Sequence, residues 1–360
     1  DHGSYENAFR AIIDDVNANG GVLGRSIEPV FAPVDVLDPQ SADAACLRLT
    51  EDEEVFVVFA STQTTQVPCY VDVGETPVVG AVPNDEVAAK ARAPWFTYRR
   101  NIDEATREIV EGFAERGIFD EATVGVVASI DDQQTMEDVA LPVLADLGVE
   151  PAETAVITTP IIFTEEVEAE VGVIASRFEA LGVDLVLAVG GGVALWTAGI
   201  EEIGYAPRLA TTDLGSLRAY IRDRGGRDLS ILEGSVAGNQ PEQLAWWDDP
   251  LTQTCIEIVE ASGEPEILDP NTRAADEPEN IVSVNSACAT VALFVAIAEA
   301  AGADLTSETF GAAGESLGEL TVPSYGTGTW TPDAPDGDLP IYYYEWDDEA
   351  QDLVTDGASF

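Results

Sequence analysis

The sequence predicts an α/β protein with two doubly wound parallel sheets, each forming the centre of one lobe. Three observations carry this. Short apolar runs alternate with segments of helical periodicity from about residue 5 to about residue 236. Those runs are almost continuously apolar, which marks strands buried on both faces. The chain of 360 residues is long enough for two sizeable cores.

Residues 5–18 place Phe9, Ile12, Ile13 and Val16 at helical spacing and predict one amphipathic helix. Gly20 and Gly21 follow, suited to the left-handed backbone that closes a helix. Residues 26–32 are short, apolar and β-prone and read as a strand. Further strands are predicted at 55–60, 77–80, 95–98, 123–128, 154–158, 185–189, 208–211 and 231–236. Helical periodicity falls at 104–114, 136–147, 167–181 and 195–203. After residue 236 the pattern turns to helices alone, at 251–261, 288–301 and 308–317. An extended run at 341–346 and a polar turn at 347–351 then suggest a hairpin.

This order makes one α/β unit, then a second, then segments that return to both. It predicts lobes of residues 1–100 plus 239–320 and 101–238 plus 321–360. The polar or Gly- and Pro-rich stretches near 99–102, 238–241 and 321–326 are the expected hinges.

Sixteen Lys and Arg stand against 67 Asp and Glu, for a formal charge of −51. Lys90 is the single lysine. Such a chain lacks the clustered cations that phosphate backbones require and is repelled by anionic lipid, which argues against nucleic-acid and membrane-surface partners. The acids are spread along the whole chain, which favours a salt-adapted surface over a cation-binding role. No run of about 18 apolar residues is present, so no spanning segment is expected. The chain starts at Asp1 and its one methionine is Met136, as expected of a mature or trimmed chain.

Four cysteines allow three pairings. Cys46 falls on an expected helix at 41–50 and Cys69 on the next one, so these two are neighbours on one sheet face. Cys255 and Cys288 fall on two of the late helices and suit each other likewise. The division into two local pairs favours disulfides, and an extracytoplasmic location, over four buried thiols. No Cys-x-x-Cys occurs, so zinc-ribbon and thioredoxin-like chemistry has no support.

His2 is the one histidine and lies at the chain end, which removes Ser-His-Asp, Cys-His and His-metal arrangements. No metal or cofactor is called for. The carboxylate pairs Asp14-Asp15, Asp131-Asp132 and Asp248-Asp249 read as solvated surface in so acidic a chain. Gly190-Gly191-Gly192 follows the strand at 185–189 and opens a helix, where backbone N–H groups can hold an anion or a ligand can approach closely. It lacks dinucleotide or P-loop spacing.

The opening turn, Asn17-Ala18-Asn19-Gly20-Gly21-Val22-Leu23-Gly24-Arg25, resembles the N-A-x-G-G-[IV]-x-G-[RK] hallmark of type I solute-binding proteins of ABC transporters, the leucine/isoleucine/valine-binding family. The stretches DPQSADAACLRLTEDEEVFVVFAST, ETPVVGAVPN and VALFVAIAEAAGADLTSETFGAA match in order, so the likeness spans nearly the whole chain. The four-cysteine placement is similar to that of many actinobacterial members. The family begins with a strand and loop before its first helix, whereas this chain starts inside that loop. A gap in the first sheet, or another segment filling it, is therefore expected.

The resemblance implies a two-lobed clamshell that closes on a small solute at the carboxyl ends of its strands, then docks on a membrane permease. By position, Ser61, Thr62 and Gln63 supply donors for a carboxylate, and Ala81, Val82 and Asn84 add contacts, mostly from backbone. His2 falls where relatives place an aromatic over the ligand. Gln134, Thr135, Gly191 and Gly192 fall near usual ligand tyrosines, and Asp213 matches the acid that pairs with an amino group. The absent aromatics at Thr135 and Gly192 suggest a roomier, more polar pocket. Asp213 has an alternative reading as a helix cap.

The function so implied is an extracytoplasmic, monomeric, non-enzymatic binding protein for an amino acid or related amine. The rival readings are a ligand-sensing ectodomain of the same fold and an α/β enzyme. The enzyme reading lacks a recognisable base.

Overall fold

The computed structural model describes residues 2–35, 39–60, 66–159, 165–222, 228–240, 246–274, 277–355 and 357. The chain forms two compact units, Asp1–Asn101 with Gln243–Leu339, and Ile102–Glu242 with Pro340–Phe360.

In chain order, helices α1 (Tyr5–Ala18) and α2 (Pro39–Leu47) precede strands β1 (Val58–Ala60), β2 (Val78–Gly80) and β3 (Trp95–Phe96), with the short α3 (Asp85–Ala88) before β3. Then follow α4 (Ile102–Glu115), β4 (Val124–Ser129), α5 (Leu141–Asp146), β5 (Glu153–Ile157) and α6 (Glu165–Ala180). The alternation continues through β6 (Leu185–Val189), α7 (Val193–Ile203), β7 (Arg208–Thr211), α8 (Leu214–Arg222) and β8 (Val236–Asn239). The late segments are α9 (Pro250–Ala261), α10 (Ile281–Ala301), α11 (Ser307–Glu315), the hairpin β9 (Gly318–Val322) with β10 (Gly326–Trp330), and β11 (Tyr342–Asp347) with β12 (Asp352–Val354).

The first unit is built on the parallel sheet β1-β2-β3, registered Val58 to Val78 and Val78 to Trp95. Helix α1 starts where the Ser4 hydroxyl accepts the Asn7 N–H at 3.2 Å, and it buries Phe9, Ile12 and Ile13. Its Asn-Ala-Asn-Gly-Gly ending has a steric cause. Gly21 sits at φ +63°, and a β-carbon there would stand 2.0 Å from the Arg25 carbonyl. Val22 and Arg25 then exchange backbone hydrogen bonds of 2.9 and 3.0 Å, which closes the turn. Phe59 contacts both Phe9 (ring centroids 6.0 Å apart) and Phe294 (5.1 Å). Helix α10 is long and apolar enough by composition to cross a membrane, but most of it is buried in this unit's core.

Three expectations need correction here. Residues 26–32 form no strand, because no neighbouring strand pairs with them. Residues 318–330 form an antiparallel hairpin instead of a hinge, and fully buried Trp330 donates its indole N–H to the Thr97 carbonyl at 3.0 Å. That packing keeps residues 321–339 in the first unit, so the last crossing falls at Leu339–Pro340. A groove of about 1180 Å³ lies along β1, lined also by α1 and residues 26–34.

The second unit has a seven-stranded sheet in the order β12-β11-β8-β7-β6-β4-β5, parallel from β8 to β5 and antiparallel at β11 and β12. Leu185, Leu187 and Val189 enter one core cluster, whereas Val186 and Ala188 enter the other. Both faces are covered, which explains the unbroken apolar run in the sequence. One strand is displaced from its expected site. Leu229–Leu232 makes a 3₁₀ turn, Gly234 takes φ +71°, and the strand follows at β8. Buried Arg218 of α8 fastens the C-terminal hairpin, with Nε donating to Asp352 Oδ1 at 3.0 Å and Nη2 to the Leu353 carbonyl.

Both expected cysteine pairs are bonded. Cys46–Cys69 and Cys255–Cys288 each have Cα atoms 6.2 Å apart.

Candidate functional site

In the second unit, the carboxyl ends of the parallel strands β4, β6 and β7 carry the loops that gather polar groups. Ser129 ends β4 and turns back through Asp132, whose N–H donates to the Ser129 carbonyl at 3.1 Å. The Ser129 hydroxyl donates to Asp132 Oδ2 at 2.6 Å. After β6, Gly190–Gly192 forms a 3₁₀ turn leading into α7, and the Gly190 N–H donates to Thr212 Oγ1 at 2.9 Å. After β7, Asp213 caps α8: Oδ1 accepts the Ser216 N–H and Oδ2 the Ser216 hydroxyl, both at 2.9 Å.

Two glycines of the triplet are a steric necessity. Gly190 sits at φ +69°, and a β-carbon there would come within 2.2 Å of the Asp132 carboxyl group. At Gly192 it would stand 2.6 Å from the Ser129 nitrogen. Gly191 is different: a β-carbon there would meet the Ser216 hydroxyl at 3.4 Å and the Asp132 and Asp213 carboxylates at 3.9 Å, ordinary contact distances. Two carboxylates therefore flank one bare backbone position. The Asp132 carboxyl is pushed up to about 6 by burial, with the Asp213 and Asp131 charges adding to the rise. Hydrogen bonds from Ser129 and the Gly191 N–H oppose it. A cation placed beside Gly191 would relieve that repulsion, whereas a second anion would increase it.

The other expected residues of this unit divide. Gln134 is exposed. Thr135 is buried, and its hydroxyl donates to Asp103 Oδ1 of α4 at 3.0 Å, so it braces the helix packing. Sequence reasoning missed Ser129 and Asp132. It placed Asp131-Asp132 with the solvated pairs, but Asp132 is part-buried because the Gly190 loop closes over it. Asp249 is likewise structural: its Oδ2 accepts the Thr252 N–H at 2.9 Å, the Thr252 hydroxyl at 2.7 Å and the Ser324 N–H at 2.9 Å.

In the first unit, Ser61, Thr62 and Gln63 lie outside the described residues. Gly80 at φ +96° lets β2 pass close to β1, where a β-carbon would sit 2.7 Å from the Ala60 carbonyl oxygen. Ala81 at φ +45° then returns its N–H to that same oxygen at 2.8 Å. Val82 is half-buried, and Asn84 caps α3 by accepting the Val87 N–H at 2.9 Å. His2 is exposed, with Nδ1 4.0 Å from Glu279 and its carbonyl accepting the Ser283 N–H.

Beyond β3, Tyr98 packs on Tyr325 with ring centroids 4.8 Å apart, and Trp246 packs on Tyr325 at 5.4 Å. Burial raises the Tyr5 and Tyr325 hydroxyls, helped by neighbouring Tyr98 and opposed by Arg99. Trp246 packs into the first unit's hydrophobic cluster. Among the described residues, no cluster of three or more His, Cys, Asp or Glu could hold a metal ion.

The carboxyl ends of these parallel strands thus bring capped carboxylates and bare glycine backbone together. The chain belongs to the periplasmic binding protein family, whose model matches residues 2–351. Its fold is that of the type I periplasmic binding proteins.

The fold is similar to that of a leucine-binding protein from Thermotoga maritima, at a TM-score of 0.70 and 15% identity, covering 99% of this chain and 93% of that one. It is similar also to a solute-binding protein from R. palustris in complex with 4-hydroxybenzoate, at 0.69 and 16%, covering 99% and 92%. A fatty acid transporter substrate-binding protein from Thermomonospora curvata gives 0.69 and 15%, covering 99% and 87%. No curated protein matches the sequence.

Proposed function

We propose that this protein is the extracytoplasmic binding component of an ABC importer and takes a small amine-bearing solute, an amino acid or a close relative, for delivery to a membrane permease. The observation that supports this reading is the pair Asp132 and Asp213 beside Gly191. Two carboxylates that both face the side-chain space left open at Gly191 suit an ammonium group. They disfavour an aromatic or fatty carboxylate there, because like charges repel and the hydrogen bonds to both acids come from neutral groups among the described residues. The solute's acceptor group is assigned to the 61–63 loop by resemblance alone. Two disulfides suit an oxidising, extracytoplasmic compartment.

A thermal-shift screen in molar salt tests this, with amino acids, amides, polyamines, hydroxybenzoates and fatty acids as probes. A ligand at one hundred times its Kd stabilises by about 2.7 kcal/mol. The reading requires a shift with an amine that shrinks by about half or more in Asp213→Asn. A response confined to benzoates or fatty acids would overturn the amine assignment.

A further inference from the structure

Beyond the carboxyl end of β3, the first unit gathers hydrogen-bond donors. Thr97 anchors the segment that carries them. Its carbonyl accepts the Trp330 indole N–H at 3.0 Å, its N–H donates to the Pro335 carbonyl at 3.2 Å, and its hydroxyl accepts the Arg99 N–H at 3.2 Å. Tyr98 and Arg99 are thereby fixed in place. Tyr325 arrives from the β9–β10 turn. Ser324 before it takes φ +71°, a strained conformation for a residue with a β-carbon. It is held there by Asp249, which accepts its N–H at 2.9 Å, and by Asn285 and Thr252, which bond its hydroxyl. Tyr325 then packs between Tyr98 and Trp246.

The polar ends of this cluster lack acceptors. Tyr325 is only 7% exposed, yet its hydroxyl makes no hydrogen bond among the described residues. A buried hydroxyl in that state calls for a partner. The Tyr98 hydroxyl accepts from Thr290 at 3.3 Å, which leaves its own proton to give. Tyr5, in the first turn of α1, makes no side-chain hydrogen bond among the described residues either. Arg99 is exposed, and among the described residues its guanidinium is in no ion pair. The acids near it in the chain or the fold are committed elsewhere. Asp336 and Asp338 lie 3.6 and 3.0 Å from Arg100, and Glu6 lies 2.8 Å from Arg10. Tyr98 and Arg99 act on the Tyr5 and Tyr325 hydroxyls alike, in opposite directions, so the four polar ends share one neighbourhood.

A guanidinium can only donate, and each phenol has a proton to give. The chemistry that completes such a set is an acceptor with one negative charge. A carboxylate fits, since its two oxygens offer about four lone-pair sites and pair well with a guanidinium fork. A phosphate would bring up to a second negative charge with no cation to meet it, in a chain of formal charge −51. An ammonium would meet Arg99 as a like charge.

We propose that Tyr5, Tyr98, Arg99 and Tyr325 take the carboxylate of the transported solute. None of the four is among the residues that the resemblance assigns to the solute. The identity of the anion rests on the binding function proposed above, and it narrows the amine-bearing solute to one that also carries an acid.

The test is ligand-observed saturation-transfer NMR on the full chain, with acetate, acetamide and phosphate as probes. Acetate has no amine, so the outcome does not depend on the Asp132–Asp213 assignment. The native protein should saturate acetate and not acetamide. Arg99→Gln and Tyr325→Phe should each weaken acetate about tenfold. Thermal melts without probe separate this from a structural role. Phenylalanine buries no unpartnered oxygen, so Tyr325→Phe should hold Tm within about one degree or raise it. Equal signals from acetate and acetamide, or an acetate signal that survives both substitutions, overturn the proposal. A signal from phosphate and none from acetate overturns it in favour of a tetrahedral anion. A loss of several degrees in Tyr325→Phe overturns it too, because the hydroxyl would then have a structural partner.

Discussion

Ser129 Oγ donates to Asp132 Oδ2 at 2.6 Å, yet the Asp132 carboxyl is still pushed up to about 6. Burial, together with the neighbouring charges of Asp213 and Asp131, outweighs the hydrogen bond. The folded protein therefore holds this proton more tightly than the unfolded chain does. Its stabilising effect is complete below about pH 4 and is lost as pH rises through about 6. Asp132→Asn should abolish that part of the pH dependence and stabilise the protein at pH 8 by about 2 kcal/mol. Denaturant titrations of both proteins at pH 4 and pH 8 check this. A difference between the two proteins that is the same at both pH values would refute it.

The same proton bears on the solute. An ammonium beside Gly191 favours ionised Asp132, so an amine should bind more tightly at pH 7 than at pH 5, by about tenfold. Isothermal titration of an amine found in the thermal screen reads this directly, with proton release at pH 5.5 as a second signature. Identical affinities at the two pH values would place the ligand away from Asp132.

Asp213 has two tasks that a pair of variants can separate. As a cap it holds the Ser216 N–H and hydroxyl, and asparagine serves almost as well in that position. Asp213→Asn should thus leave stability within about 0.5 kcal/mol while weakening an amine ligand about 10- to 100-fold. Asp213→Ala should in addition cost about 1 kcal/mol of stability. Equal binding by the native protein and Asp213→Asn would leave Asp213 as a cap alone.

Elements whose formation depends on local pattern were legible in the sequence, and those that depend on a distant partner were not. Phe9, Ile12, Ile13 and Val16 bound α1 at residues 5 and 18, and Leu185–Val189 reads as a doubly covered strand at its observed limits. Residues 26–32 have strand composition, but β propensity is realised only against a neighbour, and none is present. The β9–β10 hairpin escaped notice because Gly326-Thr-Gly-Thr-Trp330 offers one large apolar side chain, and Trp330 acquires its role only by reaching Thr97. Asp132 looked like surface for the same reason. What buries it is the Gly190 loop, 58 residues further along the chain. The site was legible as a set of loops at strand ends, not as the particular atoms that face one another.

The two disulfides offer a stability test. Cys46–Cys69 and Cys255–Cys288 span 23 and 33 residues, and closing loops of that length stabilises by about 3–4 kcal/mol in the chain-entropy account. Cys255 and Cys288 are both buried, at 5% and 6% exposure, so reduction of that pair should require unfolding or strong reductant, whereas Cys69 is half-buried and its pair should be reduced more readily. Ala substitution of both partners, one pair at a time, should lower stability by about 2–5 kcal/mol in each case. Denaturant melts under oxidising conditions check it. A loss below about 0.5 kcal/mol for either pair would mean that its loop is already constrained in the unfolded chain.

The formal charge of −51 governs behaviour in salt. The few cations are committed locally: Arg10 to Glu6 at 2.8 Å, Arg92 to Asp72 at 3.0 Å and Glu75 at 2.7 Å, Arg273 to Glu279 at 2.6 Å. Fifteen arginines and one lysine cannot offset 67 acids, so the folded surface repels itself. The Debye length shrinks from about 30 Å at 0.01 M to about 3 Å at 1 M, so molar salt removes most of that repulsion between exposed groups. Unfolding spreads the charges apart and relieves the same repulsion, which means that low salt favours the unfolded chain. Tm should therefore rise steadily between 10 mM and 1 M KCl, with potassium chloride chosen because it perturbs apolar burial less than sulfate does. Raising the pH from 5 to 8 at 10 mM salt should lower Tm further, and 1 M salt should suppress that loss except for the share carried by part-buried Asp132. A Tm independent of salt at pH 7 would show that the carboxylates are dilute enough on the surface to leave folding untouched.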